Sequence, residues 1–221
     1  MISGYKTIHQ EGLDEFVISR SRFICRSMPV VDEESALSFI GKIEKAHWDA
    51  GHSVWAYILR GGRERCSDGG EPKGTAGFPA LDVIRKEGVQ DAVVVVTRYF
   101  GGIKLGAGGL IRAYARGAKT ALDAGVIIER RPYMPFVAET DYACAEKLKR
   151  EYTKRNIIIR NISYADSVAI HVLITPEMKA LLYDLTAEIA SGKYCLIEGQ
   201  YEYLNFLDGE PLTGNTPSVN E

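Results

Sequence analysis

The chain has 221 residues, 46% of them hydrophobic and 25% charged, with a formal net charge of −2. That length fits one large or two modest α/β domains, each with a working core, and the composition excludes global disorder. A slightly acidic chain does not coat nucleic acid by bulk electrostatics, so any anion-binding surface must be local.

The opening residues MISGYKTIHQEG lack an apolar targeting core, and no run reaches the length of a membrane span. A cytoplasmic protein without membrane association is expected. Cys25, Cys66, Cys144 and Cys195 show no C-x-x-C spacing and no close histidine pairing, which predicts free thiols and no metal site.

In chain order, residues 15–21 predict a first strand that runs on through 22–31. A helix follows, with Asp32 as cap, Glu33 and Glu34 at its positive end, and Ala36, Leu37, Ile40 and Ile43 as its apolar stripe. Residues 53–59 predict a strand, and 60–75 a long loop without periodicity. Residues 78–87 predict a short helix opened by Pro79 and closed by Gly88. The β-branched run 92–96 lacks alternation, which indicates a strand covered on both faces. A glycine loop at 101–109 leads into a helix over 109–124, then a strand at 126–128.

Arg130-Arg131-Pro132 marks the expected domain boundary, giving domains at 1–131 and 132–207. Beyond it come a strand at 133–140 and a helix capped by Asp141, with Cys144, Leu148 and Tyr152 inward. A hairpin of 156–163 with 168–174 follows. Thr175-Pro176 then opens a helix carrying Met178, Leu182, Leu185 and Ile189, and a last strand spans 194–206. The order β-α-β-β-α-β is the ferredoxin-like arrangement, so the fold class is α+β. Residues 208–221 are rich in turn formers and acid and predict a disordered tail.

Residues 92–122 contain no acidic side chain, while Arg98, Lys104, Arg112, Arg116 and Lys119 supply five positive charges. Within them, Gly101, Gly102, Gly106, Gly108 and Gly109 form a loop whose entropic cost calls for a reason. Backbone N–H groups approaching an anion at a helix N-terminus provide one. Arg112, Arg116 and Lys119 share one helical stripe, and Ile111, Ala115, Ala118 and Leu122 the opposite one. A Walker loop is excluded because Ala107 and Gly108 follow Gly106, and the dinucleotide fingerprint fails at Ile111.

The segment 66–77, CSDGGEPKGTAG, is the second unusual loop. On a catalytic reading Asp68 and Glu71 are acid and base, with Ser67 or Thr75 as ligand donors. On a binding reading Lys73 and Thr75 join the phosphate contacts. No nucleophile–base pairing is visible, so a ligand- or partner-facing loop is favoured over catalysis, and no cofactor is expected. His47 and His52 lie five apart, which is not the spacing of a helical zinc pair.

CSDGGEPKGTAGFP followed by VVVVTRYFGGIKLGAGGLIRAY, with SRFICR and KAHWDAGHSVWAY before them, closely resembles the motifs of the IMPACT/YigZ family, and the resemblance covers the whole chain. Gly69 is a departure, since the family usually carries an acidic or amide residue there. The resemblance implies an N-terminal domain with the fold shared by a ribosomal small-subunit protein, domain IV of the translocation factor EF-G and the GHMP kinases. It implies a C-terminal domain like the ferredoxin-like one of EF-G. It also implies a translation-linked role, through RNA, the ribosome or a protein partner of the translation machinery, with no enzymatic reaction established. Binding RNA or a ribosomal surface is the leading expectation. An enzyme or sensor for a small phosphorylated ligand, and a protein-interaction module using loop 60–75, are the alternatives.

Overall fold

A computed structural model describes residues 3–212. The chain divides into two compact units, residues 5–129 and residues 130–212 with 3–4.

The first unit contains β1 (Tyr5–Ile8), β2 (Gly12–Ile18), β3 (Ser21–Pro29), α1 (Glu33–Ala46), β4 (His52–Ile58), β5 (Glu64–Ser67), α2 (Gly77–Glu87), β6 (Ala92–Tyr99) and α3 (Gly106–Ala124). Five strands form one antiparallel sheet in the order β2-β3-β6-β4-β5. The valine run β6 is its centre, and every residue from Ala92 to Arg98 is buried. Alternation decides what each valine meets. Val93 and Val95 pack with Phe39, Ile40 and Ile43 of α1 on one face. Val94 and Val96 pack with α2 and α3 on the other, against Leu81, Ile84, Ala113, Tyr114 and Ala118. A strand covered on both faces has no use for polar alternation, which is why the sequence shows none.

The helix ends follow local chemistry. Asp32 accepts from the Ser35 N–H at 2.8 Å in a capping box, and Gly88 closes α2 in the left-handed region. The α1 stripe differs by one residue from expectation: Phe39 is buried and Leu37 exposed. In α3 the inward residues are Leu110, Ala113, Tyr114, Gly117, Ala118, Ala121 and Leu122, with Ile111 outside. The helix begins at Gly106, three residues earlier than expected, so Gly106 and Gly108 lie in its first turn.

Two further expectations are corrected. The continuous strand over 15–31 is a hairpin, β2 and β3, turned by Ser19 and Arg20 at φ 47° and 63°. Left-handed turn residues are usually Asn or Gly, so Ser-Arg gave no signal. The loop 60–75 contains β5, a polar edge strand paired to β4.

The division between units falls inside β7 (Ile127–Thr140), and residues 130–132 are part of that strand. The second unit continues with α4 (Tyr142–Lys154), β8 (Ile158–Tyr164), β9 (Val168–Ile174), a short 3-10 turn, α5 (Lys179–Ala190), β10 (Tyr194–Glu198), β11 (Glu202–Leu207) and β12 (Glu210–Pro211). β8, β9, β7 and β10 lie side by side, all antiparallel. α4 and α5 bury Leu148, Tyr152, Leu182 and Leu185 against Phe136, Ile170 and Val172. The strand expected over 194–206 is two strands, both neighbours of β7, broken where the Gly199 N–H donates to the Pro135 carbonyl at 2.8 Å. The tail is ordered to Leu212 by the two-residue pairing of β12 with β11, and residues 213–221 lie outside the described residues.

Gly117 sets how closely α3 approaches the sheet, because a Cβ there would lie 2.9 Å from Val96 Cγ1. Gly117→Val should therefore lower stability by about 1–3 kcal/mol through overpacking, measured by urea unfolding.

Candidate functional site

The sheet ends of β3 and β6, the loop 68–77 and the start of α3 meet around one buried charge pair. Arg98, at the end of β6, donates through Nη1 to Glu71 Oε1 at 2.8 Å, and the two side chains are 5% and 3% exposed. The same Glu71 oxygen accepts from the Tyr114 hydroxyl of α3 at 2.7 Å. Arg98 Nη2 donates to Ser21 Oγ at 3.3 Å, and Ser21 Oγ also accepts from the Gly101 N–H at 3.2 Å. His52 Nε2 lies 3.7 Å from the second Glu71 oxygen. Burial, then the hydrogen bond to Glu71, push the Tyr114 hydroxyl far above the usual tyrosine range, so it is a permanent donor.

Asp68 organises the second loop. Its carboxylate accepts from the N–H groups of Gly74, Ala76 and Gly77 at 2.8, 3.1 and 2.8 Å. Those last two open α2, whose cap residue Ala76 has no side chain to do so. Burial alone would raise the Asp68 pKa, but the three backbone donors outweigh it and hold the group below the usual aspartate range. Thr75 is buried and donates to the Pro72 carbonyl at 2.7 Å, while Lys73 is exposed. With this backbone Gly69 lies tight against β4, where a Cβ would stand 2.1 Å from the Ser53 carbonyl oxygen, so the acidic or amide residue usual in the family would need the loop to shift.

The glycine loop is shaped by close approach and by left-handed turns. A Cβ on Gly101 would lie 2.1 Å from the Arg20 backbone, and Gly102 and Gly106 have φ of 83° and 69°. The first turn of α3 has no acidic residue, and Leu105 at the cap makes no side-chain hydrogen bond to it. The N–H groups of that turn are thus left for a solvent-side acceptor. Lys104, Gly106 and Gly108 are exposed, a Cβ on Gly108 would lie 3.6 Å from Arg112 Nη1, and Gly109 packs toward Leu105.

The five cations of this segment separate into two groups. Arg98 is neutralised internally by Glu71, and Lys119 pairs with Asp123 and with Glu87. Lys104, Arg112 and Arg116 are exposed and make no ion pair among the described residues. Arg20 joins them, exposed on the β2–β3 turn against Gly101, a turn that Ser19 and Arg20 do not signal in sequence.

Rings link the buried pair to the surface. The Arg116 guanidinium lies 4.3 Å from the Phe16 ring centroid, Phe16 stacks on Phe23 at 5.1 Å, and the Arg98 guanidinium lies 5.6 Å from the Phe23 centroid and 5.3 Å from that of Phe100. From sequence, Phe16 and Phe23 read as strand core, and Phe100, just past the end of β6, carries no local signal of a role.

The Impact N-terminal domain model matches residues 19–122, the region holding the Arg98–Glu71 pair, the loop 68–77, the glycine loop and the exposed cations of α3. A relative named IMPACT family member YvyE, from Bacillus subtilis, is 37% identical over 206 residues, 92% of this chain and 95% of that one. The chain belongs to the IMPACT family. Among other IMPACT family members, YigZ of Escherichia coli is 35% identical over 129 residues, covering 57% of this chain and 63% of its own. A crystal structure of a hypothetical protein superimposes with a TM-score of 0.57 at 26% identity, over 90% of this chain and 99% of that one. Among the described residues of this IMPACT family chain, no helix is long and apolar enough to cross a membrane, and no cluster of three or more metal-type ligands is present.

Glu71→Ala should cost about 3–5 kcal/mol in urea unfolding, because it strands the Arg98 charge in the interior. For Asp68 the folded pKa is depressed. Its stabilisation is therefore complete above the unfolded value near about 3.9 and is lost as pH falls through the folded value. Asp68→Asn should flatten that acid limb and speed tryptic cleavage after Lys73 at neutral pH.

Proposed function

We propose that this protein binds RNA or an RNA-bearing ribosomal surface through the glycine loop and the exposed stripe of α3, and that it acts as a regulator linked to translation. The observation that carries this is the set of Lys104 beside an uncapped helix start and Arg112 and Arg116 along the helix that follows, without ion pairs among the described residues, in a segment free of acid. Backbone donors and the helix dipole attract phosphate, and the guanidinium groups hold it with directed hydrogen bonds. Gly101, Gly102, Gly106, Gly108 and Gly109 shape the cradle, with Arg20 and Lys73 as accessory cations. Arg98 and Thr75 serve from behind, as buried supports. Asp68 and Glu71 are committed to backbone and ion-pair contacts, which favours binding over acid–base chemistry at this place.

The second unit supports the same reading. Its β-α-β-β-α-β order, with neighbours β8-β9-β7-β10, fits a ferredoxin-like domain of the kind found in RNA binders. β9 has no aromatic to stack a base, so on this reading sequence-independent contact falls to the first unit.

Arg112→Glu with Arg116→Glu should remove co-sedimentation with ribosomes from lysate while leaving the thermal unfolding midpoint within a few degrees of wild type. Co-sedimentation at the wild-type level in the folded double variant refutes the proposal.

A further inference from the structure

Phe100 is 53% exposed, yet it is not loosely held. Arg98 lies over one face of its ring at 5.3 Å, and that guanidinium is itself fixed by Glu71 and Ser21. The next residue, Gly101, is tied by its N–H to the same Ser21. The ring is therefore a rigid apolar plate at the mouth of the glycine loop. Ile103 and Ile111, 44% and 43% exposed, flank the loop, and Lys104 and Arg112 alternate with them along the chain. At the other end of the ring series, Arg116 is held over Phe16 at 4.3 Å. An exposed aromatic plate with unpaired cations on the same loop and on the helix it leads into is the arrangement that binds an unpaired strand, base on ring and phosphate on cation.

We propose that the ligand of this interface is single-stranded RNA, with an unpaired base stacked on Phe100 and backbone phosphates held by Lys104, Arg112 and Arg116. This rests on the RNA-binding reading above and narrows it. A-form duplex keeps its base faces inside its own stack, so it offers Phe100 nothing and engages only the cations. Phe100, held against Arg98, and Arg116, held over Phe16, lose little side-chain freedom on binding, so little of the contact energy is spent on ordering them.

The test is fluorescence anisotropy of the full chain with a labelled mixed-sequence single-stranded RNA and with the same strand in a duplex. Phe100→Ala and Phe100→Leu should each weaken single-strand binding by about 5- to 150-fold and leave duplex binding unchanged. Leu keeps an apolar cover over Arg98, so a loss shared by both variants reports the ring face rather than damaged packing. Phe100→Trp should retain affinity, with indole emission quenched on binding. If both Phe100 variants bind the single strand as wild type does, while the Arg112/Arg116 reversal abolishes binding, the stacking proposal falls and the phosphate-binding reading stands. If wild type binds neither RNA at low salt, both fall.

Discussion

The buried pair of Arg98 and Glu71 is the interaction on which the first unit's functional face depends. It joins three segments remote in sequence: the end of the central strand, the loop before α2 and, through Tyr114, the middle of α3. Removing two charges from water is costly, and the pair offsets that cost only because Tyr114 and Ser21 supply further hydrogen bonds. What it provides is register. With Glu71 in place, the loop 68–77 is anchored against α3, and Arg98 is held within reach of both the Phe23 and Phe100 rings. Asp68 completes the loop by capping α2 from a distance.

The same pair explains how a chain of net charge −2 presents a basic surface. Two of the five cations between residues 92 and 122 are balanced by carboxylates from outside that segment, Arg98 by Glu71 and Lys119 by Asp123 and Glu87. The three that remain face solvent in a segment without acid, one beside a helix start that lacks a side-chain cap and two along the helix it opens. Concentrating unpaired charge at backbone donors gives a local field without a high net charge.

What could be read from sequence was set by local chemistry. The unalternated valines of β6, the Asp32 cap of α1, and Pro79 with Gly88 around α2 each act within a few residues, and each element formed where expected. The acid-free segment was also plain. The β2–β3 hairpin escaped notice because Ser19 and Arg20 take left-handed conformations that neither residue advertises. β5 escaped because a polar edge strand draws its order from pairing with β4, not from burial. In the site, the identity of Arg98 was visible but its partner was not: Glu71 lies 27 residues away, and only the fold brings them together. Phosphate contact for Arg98 was a reasonable expectation from charge pattern, and burial is what removes it from the surface.

The central claim is that three exposed cations and a helix start hold phosphate, and the salt dependence of RNA affinity tests it most directly. Each phosphate neutralised on a single strand contributes about −0.7 to the slope of log affinity against log salt, so three contacts predict a slope of about −2. A slope near that value for wild type, falling toward about −0.7 when Arg112 and Arg116 are both replaced by Gln, is the predicted result. A slope near zero for wild type would contradict the account.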